Sequence, residues 1–243
     1  MTLRVYDSFD QGSGAWFEAR RGIVTASVIG SMITPKTVKP SNNQTSRGLI
    51  TTLAAERITG HVEETYMSYD MRRGVELEHY ARDAYADHYA PVDEVAFMVR
   101  DFNGTQLGFS PEVMVRDFDG TQLGFSPDGL VGETGFIEIK TRTPKIHINT
   151  IMSDQVPAAN LAQLHTGLLV TGRQWADYVS YSPGMHLWTK RVYPDPVWKA
   201  AIIDALLKAE ADIQLLVAEY ERLTDGLPLT ERVELLEDME IQI

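Results

Sequence analysis

None of the 243 residues is cysteine, which excludes disulfides and thiolate metal sites and suits the cytoplasm. Nor is there an apolar run near the roughly 20 residues that cross a bilayer. The start has no basic stretch followed by an apolar one. A soluble, cytoplasmic protein without a membrane span is the expectation. Positive charge is scarce as well: 22 Lys and Arg stand against 34 Asp and Glu, a net charge of −12. Indiscriminate coating of a polyanion is therefore excluded, because it needs an excess of cations. Any surface that meets one must concentrate its basic residues locally. The six histidines share no ligand spacing, and a zinc site is not expected.

What is present suffices for a sizeable core, with 44% hydrophobic and 23% charged residues. The acidity is uneven. Between Glu219 and Ile243 there are eight acids and two arginines, a net −6, which leaves −6 for the preceding 218 residues. We read one domain over residues 1–226 and an acidic C-terminal segment over 227–243, in the simplest case a solvated helix.

Helical periodicity appears after a short lead within 15–33, where Thr25 or Ser27 can cap a helix with Val28, Ile29, Met32 and Ile33 on its apolar face, stopped by Pro35. It recurs over about 47–59, ended by Gly60, over 70–89, ended by Pro91, and over 157–170, ended by Gly172. Lys36–Ser46 reads as a loop. Asp195-Pro196 opens the longest helix, with an apolar stripe from Trp198 to Tyr220 and Gly226 at its close. Val95–Thr141 changes to short β-type runs, and Trp175–Tyr181 with Leu187–Tyr193 reads as a strand pair. This order describes an α/β fold, a central mixed β-sheet flanked by helices. Within the β-block, Val99–Met114 and Val115–Leu130 match at twelve of sixteen positions. The tandem duplication is expected to add one β-hairpin.

The chemistry concentrates just after the duplication, in Ser126-Pro127-Asp128-Gly129-Leu130 and Gly135-Phe136-Ile137-Glu138-Ile139-Lys140. On a strand, Glu138 and Lys140 share a face while Ile137 and Ile139 take the other. A hairpin can bring Asp128 beside them. The first copy carries Glu112-Val113 where the second carries Asp128-Gly129, so Asp128 is taken as functional. Two converging carboxylates repel unless a hard cation lies between them, and Mg²⁺ takes such oxygen ligands. An ammonium two residues along can orient or deprotonate an attacking water.

This Pro-Asp…Glu-x-Lys pattern resembles that of the phage lambda exonuclease and related YqaJ-like viral recombinase exonucleases, of the restriction-endonuclease-like superfamily. Trp16, Arg20, Gly22, Ile23, Thr25, Ala26 and Ser27 match the family's opening motif. Gly74 and Glu78 match a helix bearing a further acidic ligand, and Ala162-Gln163 matches its glutamine helix. These blocks span about 16–182.

The resemblance implies a restriction-endonuclease-like core and a Mg²⁺-dependent 5′→3′ exonuclease. It would degrade one strand of duplex DNA from a 5′-phosphorylated end, for phage-type recombination by single-strand annealing. Asp128, Glu138 and the Ile139 carbonyl would hold one metal ion, and Glu78 with Asp128 a second, with Mn²⁺ able to substitute. Lys140 would activate the water and Gln163 position it. Arg20, Ser27 and Ser126 would bind the 5′-phosphate, since a guanidinium grips phosphate through paired hydrogen bonds. A homotrimer, an annealing recombinase as partner, and a phage or prophage protein working in the host cytoplasm are also implied. The same residues are compatible with a structure-specific endonuclease, or with a DNA-end-binding module whose site the duplication has impaired. Glu76 competes with Glu78, Arg21 with Arg20, and Trp16 reads as core. Arg47, Arg72, Arg73, Arg142, Lys145 and the Lys36/Lys39 loop are candidates for backbone contacts by composition.

Overall fold

A computed structural model describes residues 2–6, 13–62, 68–95, 97–101 and 121–233. The described elements, in chain order, are β1 (Thr2–Tyr6), α1 (Gly14–Arg20), β2 (Val24–Thr25), α2 (Ala26–Ile29), β3 (Ile33–Thr34), β4 (Lys39–Pro40), α3 (Gln44–Thr59), α4 (Tyr69–His88), β5 (Phe97–Asp101), β6 (Gln122–Phe125), β7 (Gly129–Val131), β8 (Gly135–Thr141), α5 (Pro144–Ser153), α6 (Ala158–Thr171), β9 (Trp175–Tyr181), β10 (Trp188–Val192) and α7 (Pro196–Thr224).

The expected mixed sheet comes as two. One has the order β1-β5-β6-β2 and the other β10-β9-β8-β7, with β3 and β4 forming a small separate pair. Each large sheet holds one parallel pairing, β2 with β6 and β8 with β9, among antiparallel ones. The chain passes from the first sheet to the second through Ser126-Pro127-Asp128, between β6 and β7.

Helices cover the second sheet on both faces. Alternation along β8 sends Phe136 to one side, where it joins Tyr178, Leu164, Leu168, Ile202 and Leu206 in the larger core. Ile137 and Ile139 go to the other side and pack with Ala81 and Tyr85 of α4 and with Val179. Each large apolar side chain so buried contributes about 1.5–3 kcal/mol. A polar latch supplements this packing: the Tyr85 hydroxyl donates to Asp177 Oδ2 at 2.7 Å, and Arg191 donates to both Asp177 oxygens at 2.8 Å. Asp177 thus ties α4 to β9 and β10.

Local signals explain the boundaries. Asn43 and Ser46 form a reciprocal capping box at the start of α3, and Gly60 ends it in the left-handed conformation. Asp195 accepts from the Val197 amide ahead of the Pro-led α7. Within 15–33 the lead contains α1 and the short β2, divided at Gly22 with its positive φ of 65°, and the helix expected after Thr25 is α2 with a 3-10 turn. Thr25 precedes α2 without capping it through its side chain. The Lys36–Ser46 loop contains β4, which pairs with β3. Helix α5 has no counterpart among the expected elements. The α7 stripe is buried as far as Ile213, beyond which Leu216 and Tyr220 are exposed. Residues 227–233 run exposed without helix or strand, and the rest of the acidic segment, 234–243, lies outside the described residues.

The hairpin expected from the duplication falls on residues 102–120, outside the described residues. What is described is that β5, from the first copy, pairs with β6, from the second, in the register Met98↔Phe125 to Asp101↔Gln122. Among the described residues no helix is long and apolar enough to cross a membrane.

Gly167 of α6 lies where the two sheets meet. A Cβ there would stand 2.6 Å from Phe136 and 2.7 Å from Phe125. Gly167→Ala is expected to destabilise the protein by about 1–3 kcal/mol through overpacking, read as a lower urea midpoint at unchanged slope.

Candidate active site

Strands β7 and β8 form an antiparallel ladder with Gly129 opposite Ile137. One residue beyond it, Asp128 falls opposite Glu138. Glycine on each strand lets neighbouring side chains pack onto the hairpin: a Cβ on Gly129 would meet Val92 at 2.1 Å, and one on Gly135 would meet Trp175 at 2.1 Å. Asp128 Oδ2 accepts from the Ile139 amide at 2.5 Å, which locks the turn onto β8. Glu138, with 1% of its side chain exposed, accepts from Lys140 Nζ at 2.6 Å through Oε1. Its other oxygen, Oε2, is buried with no hydrogen-bond partner.

Glu78 reaches this site from α4. Arg82, one turn further on, donates to Glu78 Oε1 at 2.7 Å and to the Asp128 carbonyl at 2.8 Å, and pairs with Glu94 at 2.7 Å. Arg82 therefore braces helix, turn and the segment before β5 together. Its spacing of four from Glu78 was a visible helical-pair signal. Glu76 is exposed, whereas Glu78 is partly buried, and the two are thereby separated.

The electrostatics follow from burial. Desolvation, reinforced by the neighbouring Asp128 charge, pushes Glu138 up to about 8 and Glu78 up to about 7. Asp128 is also raised by burial, against the pull of Lys140, the Ile139 amide and Arg82. Burial would lower Lys140, but Glu138 and Asp128 outweigh it and raise the ammonium. Three carboxylates with elevated proton affinity around one orphaned oxygen make an oxygen donor set suited to a hard divalent cation. Among the described residues, no three of His, Asp and Glu are gathered into a ready metal cage. Glu138 and Glu78 are instead turned to Lys140 and Arg82. The Ile139 amide is engaged by Asp128, beside the carbonyl that the family resemblance makes a ligand.

Gln163 lies on α6 between two fixed points. Asn160 Oδ1, one turn earlier, accepts from Arg142, and Gly167, one turn later, abuts Phe136. Positions 160, 163 and 167 share a helix face, so Gln163 lies level with Glu138 and Lys140.

A second cluster forms around Arg20. Strand β2 runs parallel to β6 with Thr25 opposite Gly124, so Ser27 and Ser126, each two residues further on, emerge side by side. Arg20 donates to Ser126 Oγ at 3.0 Å and to Thr25 Oγ1 and Ser27 Oγ at 3.3 Å. Its guanidinium lies 3.9 Å from the centre of the Trp16 ring, and the Trp16 indole N–H also donates to Ser126 at 3.2 Å. Burial lowers Arg20 to about 10, with Glu56 opposing. The trio expected from the sequence is brought together, and Thr25 joins it. Trp16 is a wall of this cluster, not a core residue as expected; its spacing of four from Arg20 on α1 accounts for the stacking. Arg21 faces away, paired with Glu18 and the Gly60 carbonyl. His165 packs against Trp198 at 5.3 Å between ring centres.

Residues 15–174 match the model of the YqaJ-like viral recombinase domain. The chain belongs to the YqaJ-like viral recombinase family. Its fold is similar to that of an alkaline exonuclease, LHK-Exo, from Laribacter hongkongensis, with 29% identity and a TM-score of 0.72 over 89% of this chain and 100% of that one. The structure of LHK-Exo in complex with dAMP gives 29% identity and a TM-score of 0.71 over the same shares. A phage-related exonuclease from Haemophilus somnus 129PT, at 12% identity, covers 82% of this chain and 96% of that one, with a TM-score of 0.55, and shows likeness of fold. No curated protein matches the chain at a significant level. Family and fold together support a nuclease of the phage recombination type on a restriction-endonuclease-like α/β core.

The raised carboxyls make stability pH-dependent without metal. Between the ordinary glutamate value near 4.5 and the elevated values of about 7 and 8, the folded state retains protons that the unfolded chain has released. Stability therefore falls as pH rises through that window. In EDTA, the urea midpoint should be lower at pH 8.5 than at pH 5.5, and Glu138→Gln should flatten the decline. Added Mg²⁺ should restore the midpoint at pH 8.5.

Proposed function

We propose that the protein is a Mg²⁺-dependent 5′→3′ exonuclease that degrades one strand of duplex DNA from a 5′-phosphorylated end. The observation that carries this reading is the Ser126-Pro127-Asp128 turn. Ser126 belongs to the Arg20 cluster and Asp128 to the carboxylate site. Two residues of extended chain separate them, roughly 6–7 Å. An anion held at the first is thus delivered beside the second, the arrangement an end-dependent enzyme needs.

In this reading Arg20, Ser27 and Ser126, with Thr25, bind the terminal phosphate. Asp128, Glu138 and the Ile139 carbonyl would hold one Mg²⁺, and Glu78 with Asp128 a second. Glu138 Oε2, buried without a partner, fits that role, and Mn²⁺ would satisfy the same oxygens. Bound there, the ions would offset the carboxylate charge and stabilise charge developing on the phosphate oxygens. Lys140, released from Glu138, would orient and polarise the attacking water through its ammonium, while Gln163 would hold that water in line. Trp16, stacked on Arg20, keeps water from the guanidinium and strengthens its grip. We assign the nuclease domain to residues 1–226 and leave the acidic 227–243 outside it. A homotrimer around the duplex, a single-strand annealing recombinase as partner and action in the host cytoplasm complete the proposal.

Linear duplex labelled at either end tests it. Mononucleotides should appear from 5′-phosphorylated ends with Mg²⁺, and closed circles should stay intact; cutting of circles would favour an endonuclease. Asp128→Ala and Lys140→Ala should each slow digestion roughly 10³-fold, about 4 kcal/mol of lost transition-state stabilisation. Wild-type rates in either variant would overturn the site assignment. Arg20→Ala should cut the preference for 5′-phosphate over 5′-hydroxyl ends about tenfold or more, the scale of a charged hydrogen bond.

A further inference from the structure

Most cations near the carboxylates are already neutralised. Lys140 rests on Glu138, and Arg82 on Glu78 and Glu94. Arg142 differs. It follows Lys140 by two residues at the end of β8, on the face that Glu138 and Lys140 share. Its guanidinium donates to Asn160 Oδ1 at 2.9 Å and to the Tyr178 hydroxyl at 3.1 Å. Both acceptors are uncharged. Tyr178 is the β9 register partner of Glu138, and Asn160 lies one turn from Gln163. The side chain is therefore folded back toward the carboxylates, near enough to Lys140 to oppose its charge. Its Nε is buried and has no hydrogen-bond partner.

A second guanidinium reaches the main chain of Arg142. Arg73 of α4, five residues before Glu78, donates to the Arg142 carbonyl at 2.7 Å. Some arginines of this chain end on carboxylates, as Arg57 does on Glu210 and Arg191 on Asp177, and others on backbone carbonyls, as Arg100 does on Val170 and Arg173 on Gly132 and Gly135. What sets Arg142 and Arg73 apart is their place: both rest on uncharged acceptors around the end of β8, with Arg142 two residues from Lys140. A planar guanidinium fork whose charge no carboxylate offsets matches phosphate oxygens.

We propose that Arg142 and Arg73 form a phosphate clamp that grips the backbone of the DNA strand on the side of the carboxylates away from the Arg20 cluster. The inference rests on the exonuclease reading and adds a second anchoring point for the substrate. Arg20 holds the terminal phosphate, and the clamp holds an internal one. Asn160 and Tyr178 aim Arg142 without cancelling its charge.

The test is binding of a labelled duplex by the full chain, with Ca²⁺ in place of Mg²⁺, over about 50–300 mM salt. Arg142→Gln should weaken binding about tenfold and reduce the slope of log affinity against log salt by ~0.9, the loss of one phosphate contact. Arg73→Gln should shift the slope in the same direction, and decides the matter alone if Arg142→Gln does not fold. Asn160→Ala keeps both charges and should leave the slope near the wild-type value. Thermal midpoints separate this from a merely structural arginine: unchanged slopes in both glutamine variants, with or without lost stability, overturn the clamp. A wild type that binds duplex with these slopes yet digests nothing overturns the exonuclease reading and leaves the clamp standing. Digestion with unchanged slopes sinks the clamp alone.

Discussion

The structure is organised by an electrostatic liability: a glutamate carboxylate buried opposite an aspartate, with one oxygen lacking any partner. Burying such a charge costs several kcal/mol unless it is paired, hydrogen-bonded or protonated. The chain offsets part of that cost with Lys140, with the Ile139 amide on Asp128 and with Arg82 on Glu78. It leaves the rest uncompensated. A surface strand with a simple ion pair would have exposed Glu138 to water. Its burial, on a hairpin that Val92 and Trp175 pack against over two glycines, is what makes the cluster a candidate for cation chemistry.

The frame around this pair is a consequence of strand alternation. Because β8 turns its apolar residues to both faces, it needs a helix on each side, and α4 and α6 supply them. Helix α4 then brings Glu78 to the site from one face, while α6, which carries Gln163, packs on the other. The division into two sheets matters equally. The turn between them is free of ladder bonds, so Ser126 can serve one cluster and Asp128 the next. A single continuous sheet would have given consecutive same-face residues to one surface.

Much of this was legible in the sequence because the signals were local. The Glu-x-Lys alternation, the Gly60 and Gly172 helix ends and the Asp195-Pro196 start each depend on a few neighbouring residues. The Arg20, Ser27 and Ser126 grouping came from family resemblance, since no periodicity relates residues over a hundred positions apart; the parallel pairing of β2 with β6 is what unites them. Trp16 was misread as core because a large aromatic carries no mark of which of its faces is occupied. Helix α1 was missed within the lead before Thr25 because it is only seven residues long and buries none of them fully. Arg82 was visible as a helical pair with Glu78, but its hold on the Asp128 carbonyl depends on tertiary packing.

The duplication poses a sharper question of pairing. Val99–Asp101 has an identical copy at Val115–Asp117, and Gln122–Phe125 one at Gln106–Phe109, so pattern alone does not say which strands pair. Sterics at the active-site turn decide which copy supplies it. The residue after the acid must be glycine, since a Cβ there would strike Val92 at 2.1 Å. The second copy offers Asp128-Gly129 and the first Glu112-Val113. Valine cannot occupy that position without expelling Val92 from beneath the hairpin. The last strand of the second copy must therefore lead into β7, and β5 pairs with it across the repeat. One glycine thus resolves an ambiguity that twelve identical positions create, and it does so at the residue next to the carboxylate on which the site depends.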